Sequence, residues 1–249
     1  MKQGFLIPVY RHGKTACPLA ERLAAFGLPV IMVDDGNDAE TQTLLAECAA
    51  KTPGIVLISL KKNRGKGRAV AKGLEKAAEL GLTHVLQIDA DGQHDDGKAA
   101  FFLEESAKHP DMIICGYPKF DEAAPGSRVN GRKISNFWAA VVTLSTELKE
   151  VLCGFRVYPV AAAARIAGRP FIDKRMGFDP EILIRLYWKK VCPVYHPVKI
   201  SYPPGGVSNF RMVRDNIRIS WMFTRLFAGM ILRLPLLIAR RMKRGKEKQ

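Results

Sequence analysis

At 249 residues and 47% hydrophobic content, the chain is long enough for one sizeable α/β domain with a short appendage and too short for two equal domains. Its five cysteines (Cys17, Cys48, Cys115, Cys153, Cys192) stand singly, with no Cys-x-x-Cys pair and an odd total. That pattern argues against a disulfide framework or a zinc site and favours a reducing, cytosolic compartment. The net charge of +15 is mostly a property of the end of the chain, since residues 211–249 hold eleven Lys/Arg against two acids, Asp215 and Glu247, or +9 of the total. Such a balance suits an anionic membrane surface or nucleic acid.

The start, Met1-Lys2-Gln3-Gly4, runs straight into Phe5-Leu6-Ile7, too short an apolar core for a secretory leader, so no secretion is expected. Short apolar runs at residues 5–9, 30–33, 55–60, 84–88 and 112–115 alternate with helical patterns at 18–26, 39–50, 68–80 and 98–109. Strand, helix, strand at this spacing predicts a mainly parallel sheet with helices on both faces, whose ligands bind beyond the carboxyl ends of the strands. Residues 117–132, with Pro118, Pro125, Gly126 and Gly131, read as a long functional loop, and helical patterns resume at 134–148, 160–167 and 180–189. The last stretch, 214–244, gathers Arg214, Arg218, Arg225, Arg233, Arg240 and Lys243 in one sector, with Trp221 and Phe223 elsewhere. It reads as a basic amphipathic helix lying in a membrane interface and divided by Pro235, with a core helix or a homodimer interface as the alternatives.

The strand ends carry the chemistry. Val33-Asp34-Asp35-Gly36-Asn37 puts two carboxylates where they can hold a base or ribose, although the same residues also make a turn. Asn63-Arg64-Gly65-Lys66-Gly67 opens a helix with amides and basic groups that can meet a phosphate, but it is neither a P-loop nor a dinucleotide fingerprint. Asp89-Ala90-Asp91-Gly92-Gln93-His94 offers two carboxylates one residue apart, a set that suits hard Mg²⁺ or Mn²⁺ completed by substrate phosphates. Arg128, Arg132 and Ser135 sit in or just after the long loop, then Gly154-Phe155-Arg156 follows, with guanidinium forks apt for phosphate. Gly177-Phe178-Asp179-Pro180-Glu181 places two carboxylates at a helix start, where Asp179 can also act as a simple cap.

In order, Ile7-Pro8-Val9-Tyr10, Val33-Asp34-Asp35-Gly36, Asn63-Arg64-Gly65-Lys66-Gly67, Asp89-Ala90-Asp91-Gly92-Gln93, Gly154-Phe155-Arg156 and Gly177-Phe178-Asp179-Pro180-Glu181 resemble the motifs of a family 2 glycosyltransferase of the GT-A fold. They are most similar to those of the dolichyl- or polyprenyl-phosphate sugar synthases. The resemblance implies a GT-A catalytic domain, taken here as residues 1–210, with the basic tail at 211–249. It implies that Pro8 and Tyr10 line the nucleotide pocket, that Asp35 or Asp34 holds the base or ribose, and that Lys66 lies on the donor side. Asp89 and Asp91 would hold the metal diphosphate, with Gln93 as a further ligand, and Arg128, Arg132, Ser135 and Arg156 would face the acceptor. Asp179 and Glu181 match the later acidic position, which in relatives with hydroxyl acceptors lies near where a base is needed. Glu150 stands where relatives often have Asp, and Tyr117-Pro118 where they commonly have an Arg.

The expected activity is inverting transfer from a UDP- or GDP-sugar to a lipid-type acceptor, a polyprenyl phosphate or another membrane lipid, by an enzyme peripheral on the cytoplasmic face of a membrane. A non-lipid hydroxyl acceptor is the alternative. A haloacid-dehalogenase-type phosphatase would need Thr or Ser where Gln93 stands and its motif nearer the N-terminus. A nucleic-acid partner is not expected, because the charge sits in a tail whose other face is apolar.

Overall fold

The computed structural model describes residues 1–120, 126–201 and 210–246, without the side chains of 120, 126–129 and 244–246. The strands are β1 (Gln3–Val9), β2 (Val30–Asp34), β3 (Ile55–Ser59), β4 (His84–Gln87), β5 (Ile113–Phe120), β6 (Arg156–Pro159) and β7 (Pro193–Ile200). They form one sheet in the order β3-β2-β1-β4-β6-β5-β7, in which β6 alone is antiparallel to its neighbours. The helices are α1 (Gly13–Ala24), α2 (Ala39–Lys51), α3 (Lys66–Glu79), α4 (Ala99–Lys108), α5 (Gly126–Thr143), α6 (Val160–Ala167), α7 (Phe178–Trp188), α8 (Met212–Ile231) and α9 (Leu234–Lys246).

The period-2 alternation of the strands sorts the core into two layers. Phe5, Ile7, Val30, Met32 and Leu86 pack with α1, α2 and α4, while Leu6, Ile31, Val33 and Val85 pack with α3, α5, α6, α7 and α8. Strand order reverses at β1, with β2 on one side and β4 on the other, so the crevice beyond Val9 and Gln87 is the switch point where such sheets bind ligands.

Three expectations change. The long loop at 117–132 is largely replaced by regular structure: β5 continues to Phe120 against β7, and α5 begins at Gly126, while 121–125 lie outside the described residues. Beyond Cys115, β5 has lost its pairing with β6, and a strand with one paired side tolerates Pro118. β6 and β7 escaped the apolar-run criterion because β6 is four residues opening on a buried Arg, and β7 contains Pro193, His196, Pro197 and Lys199, which an edge strand accepts.

The third change concerns the tail. α8 has two apolar faces: Met222, Phe223, Leu226 and Met230 are buried in the shared core, whereas Ile217, Trp221 and Ile231 point outward, Trp221 at 63% exposure. Trp221 and Phe223 therefore lie on different faces. Part of the basic sector turns inward: Arg233 lies 4.7 Å over the Trp188 ring and Arg240 4.3 Å over Tyr187. The break falls at Leu232-Arg233, with Pro235 the second residue of α9, and α8 and α9 are bent by 75°. Among the described residues no single helix is long and apolar enough to cross a membrane.

α3 lies close on β1 because Gly73 leaves room for Leu6: a Cβ at Gly73 would stand 2.0 Å from Leu6 Cδ1. Ala gains about 1 kcal/mol in helix propensity, but overpacking costs about 1–3 kcal/mol. Gly73→Ala is therefore expected to lower the urea midpoint; an unchanged or raised midpoint would show that the α3–β1 contact has slack.

Candidate active site

The strand ends deliver their residues to one cavity of about 1490 Å³. Its polar half is lined by Pro8, Tyr10, Asp35, Lys66, Asp89, Asp91 and Gln93. Lys66, the first residue of α3, reaches across to the carboxylates at the end of β4 and the start of α7: its Nζ is 2.7 Å from Asp89 Oδ2 and 2.7 Å from Asp179 Oδ2. Burial alone would lower the Lys66 pKa, but the Asp179 and Asp89 carboxylates outweigh it and hold the ammonium well above its ordinary value. Burial likewise pushes the Asp89 carboxyl up, and Lys66, then His94, bring it below the usual range. Gly154 makes this meeting sterically allowed, since a Cβ there would stand 2.5 Å from Asp89 Oδ2 and 2.8 Å from Lys66 Nζ.

The loop carrying Lys66 is itself held by Asp35. Asp35 Oδ1 accepts from the Arg64 amide, and Oδ2 accepts from the Gly65 amide and Asn63 Nδ2, each at 2.8 Å. Burial raises the Asp35 carboxyl, with the two amides opposing. Asn63 Oδ1 in turn accepts from Arg175 Nη1 at 3.0 Å, which brings a cation into the cavity wall. Gly65 sits at φ +97°, where a side chain would also strike Arg175 and the Lys174 carbonyl.

Asp34 and Asp35 thus have different tasks. Asp34 turns from the cavity and accepts from the Asn37 amide and Asn37 Nδ2, the turn reading of that motif.

Two expected site residues also lie outside the cavity. Arg156 is fully buried and donates to the backbone carbonyls of Asp179 and Val151, 2.6 Å each, so it braces the start of α7 and the 150–154 turn instead of facing an acceptor. Glu181 is fully buried, two residues and about half a turn on from Asp179, and so points the other way. Its Oε1 accepts from Arg185 at 2.6 and 2.9 Å, and its Oε2 from the Asp173 amide at 2.7 Å and Arg225 at 3.3 Å. A carboxylate accepting four such bonds from three residues is an anchor for the 169–177 loop and α8. Asp179 is no helix cap, since Gly177 precedes the helix without a side-chain bond; its Oδ1 is buried without a hydrogen-bond partner, and the residue lines the cavity.

Arg132 and Ser135 line the cavity from α5; Arg132 is paired with Glu150 at 2.7 Å, and Glu150 also accepts from the Leu152 and Cys153 amides. The longer Glu150 side chain thereby ties the 150–153 turn to α5. The side chain of Arg128 lies outside the described residues. His94 points to Cys153, its Nε2 3.7 Å from Sγ, and not into the cavity.

The apolar half of the cavity, missed in the sequence, is formed by Ile134 and Trp138 of α5 with Phe210, Ile219, Phe223 and Phe227 on and before α8. Arg11, His12, Arg175 and Met176 were missed as well. The first two follow β1 directly and were open to the strand-end rule. The others depend on which elements pack together.

For a divalent cation, the described residues hold no cluster of three or more His, Cys, Asp or Glu. Asp89, Asp91 and the amide of Gln93 share the cavity edge, an all-oxygen set of the kind that Mg²⁺ or Mn²⁺ completes with phosphate and water, so the residues fit such an ion.

A family model described as Glycosyl transferase family 2 matches residues 5–163, well over half of the chain. The chain belongs to glycosyl transferase family 2. It is 32% identical over 213 residues to a dolichyl-phosphate β-glucosyltransferase of Dictyostelium discoideum, covering 80% of this chain and 64% of that one. It is 29% identical over 247 residues to a UDP-N-acetylglucosamine–dolichyl-phosphate N-acetylglucosaminyltransferase of Methanococcus voltae, covering 91% and 96%. The chain spans less than two thirds of the Dictyostelium relative and 58% of a similar Trichomonas vaginalis dolichyl-phosphate β-glucosyltransferase. Its fold is that of glucosyl-3-phosphoglycerate synthase from Mycobacterium tuberculosis, solved with Mn²⁺ and UDP-glucose, with a TM-score of 0.66 at 13% identity over 92% of this chain and 78% of that one. The GT-A architecture expected of a family 2 member is thus present.

Removing one member of a buried ion pair costs about 3–5 kcal/mol. Glu181→Leu is accordingly expected to lose about that much in urea unfolding, as an anchor for Arg185 and Arg225 should. A change within about 0.5 kcal/mol, the usual range for surface substitutions, would show that Glu181 holds nothing.

Proposed function

We propose that this chain is an inverting glycosyltransferase that moves a sugar from a UDP-sugar to the phosphate of a membrane lipid. The observation that carries this reading is the continuity of one cavity from the carboxylates beyond β4 to the apolar faces of α5 and α8. A nucleoside diphosphate suits the first half and a lipid chain the second. UDP is favoured because the Methanococcus relative's name and the solved neighbours with bound UDP-glucose or UDP-N-acetylglucosamine all specify it. The dolichyl-phosphate relatives favour a lipid phosphate as acceptor.

Asp89, Asp91 and Gln93 would hold a divalent cation, which when bound supplies Lewis-acid neutralisation of the leaving diphosphate. Asp35 keeps the 63–65 loop in place, and Lys66 keeps Asp89 and Asp179 together at the junction of donor and acceptor halves. Arg175 and Arg132 line the wall where phosphate oxygens would lie. An acceptor phosphate oxygen, already anionic, attacks the anomeric carbon from the face opposite the diphosphate; the C–O bond to the diphosphate breaks with its electron pair, and the configuration inverts. No proton has to be removed. The reading places the enzyme at a membrane, with the outward apolar faces of α8 and of α5, where Phe137 is 62% exposed, turned towards it.

A hydroxyl acceptor is the second reading, favoured by Asp179, a carboxylate that lines the cavity and has a buried Oδ1 without a partner. It needs a base there. UDP release is to be measured with UDP-glucose and UDP-N-acetylglucosamine, Mn²⁺ and a polyprenyl phosphate. Asp91→Asn should lower turnover by at least about 10²-fold, as loss of a transition-state charge stabiliser does. Equal rates for wild type and Asp91→Asn would sink the metal-diphosphate assignment. Asp179→Asn should retain measurable transfer to the lipid phosphate, whereas complete loss with intact UDP-sugar binding would favour the hydroxyl reading.

A further inference from the structure

A second cavity, of about 120 Å³, opens between the end of α6, the end of α7 and the bend joining α8 to α9. Among the described residues, none lines both cavities. Four of those lining the smaller one are cations: Arg169, Arg185, Lys189 and Arg233. The space is large enough to admit a phosphate group.

The charges around it are poorly balanced. Glu181 is the carboxylate at hand, and it is engaged by Arg185 at 2.6 Å and shared with Arg225 at 3.3 Å. Among the described residues, Arg169, Lys189 and Arg233 form no ion pair with a carboxylate. Two of the guanidiniums are nonetheless fixed in place. Arg185 is held by Glu181, and Arg233 donates to the Gly229 carbonyl at 2.7 Å while stacking on Trp188. Burial first, then the facing Arg185 and Arg169, holds Arg233 below the ordinary arginine pKa. Rigid planar forks around an unneutralised hollow recognise phosphate oxygens well.

The surroundings indicate which phosphate. Leu236 lines the cavity and is 73% exposed, and Leu232, at the bend, is 83% exposed. A soluble anion has no use for such a collar, whereas a lipid headgroup arrives with hydrocarbon beside it. We propose that this cavity binds the phosphate headgroup of an anionic membrane lipid, at a site separate from the reaction cavity, and seats the α8–α9 bend at headgroup level. The site does not depend on which sugar or acceptor the enzyme uses.

The test is flotation of the full chain with vesicles of phosphatidylcholine, alone or with phosphatidylglycerol. Arg169→Gln/Lys189→Gln removes two cations of the cavity, and Arg241→Gln/Lys243→Gln removes two exposed cations of α9. General attraction to an anionic surface is worth about 1 kcal/mol per cation, so either pair alone loses up to about 30-fold. A headgroup site predicts that the cavity pair loses at least about tenfold more than the α9 pair, on phosphatidylglycerol vesicles only. Equal losses, or equal flotation of the wild type on both vesicles, would overturn the proposal. Titration with inorganic phosphate followed by ³¹P line broadening separates the sources: broadening that the cavity pair abolishes, with no difference in flotation, would make this a soluble-anion site and overturn the lipid assignment. Should the double variant fold poorly, the single Lys189→Glu, at an exposed position, is judged by the same criteria.

Discussion

The ammonium of Lys66, set between the carboxylates of Asp89 and Asp179, is the contact on which the site depends. It joins the start of α3, the end of β4 and the start of α7, three elements with no sequence proximity. Two carboxylates that close repel each other unless a cation lies between them, and the low-dielectric surroundings make both the repulsion and its relief stronger than in water. The neighbouring residues serve this contact. Asp35 fixes the loop before Lys66, Gly154 leaves the space, and Arg156 holds the backbone of Asp179 from behind.

A second buried charge, Glu181, ties together further elements around the cavity, as Lys66 does at the strand ends. With Arg185, Arg225 and the Asp173 amide as partners, it ties the 169–177 loop to α7 and α8. Arg175 and Met176 on that loop line the reaction cavity, and Phe223 and Phe227 of α8 line its apolar half. The basic tail is therefore joined to the site through ion pairs and shared core, and its apolar outward face follows from the same packing: Arg225, Arg233 and Arg240 turn towards acids, rings and carbonyls of α7 and its surroundings, leaving Ile217, Trp221 and Leu236 outside.

Much of the polar half of the cavity was legible in the sequence because its logic is local. A parallel strand that ends in a polar residue puts that residue at the ligand-binding edge, so Asp35, Lys66, Asp89, Asp91 and Gln93 could be named from segments that follow apolar runs, while Pro8 and Tyr10 came from the family resemblance; all line the cavity. Asp34, Arg156 and Glu181 are the instructive exceptions. Asp34 and Glu181 stand one and two residues from a residue that lines the cavity and are turned from it by strand or helix geometry, whereas Arg156 is drawn inward by the backbone carbonyls of Asp179 and Val151. Local spacing places the backbone, but the direction in which a buried charge finds its partner depends on elements far along the chain.

By itself, the sequence determined the alternation of strands and helices, the edge of the sheet that carries the chemistry and the oxygen-donor set at Asp89, Asp91 and Gln93. These follow from periodicity and from the order of residues along single elements. Tertiary structure alone decided that β6 reverses in the sheet, that Asp179 and not Glu181 reaches the cavity, and that α5 and α8 close its apolar half. It also decided that the tail turns part of its basic face to the protein. The reason is physical: a buried charge needs an opposite charge or a hydrogen bond, and an apolar helix face needs a surface to cover, and both partners are supplied by segments that only folding brings together.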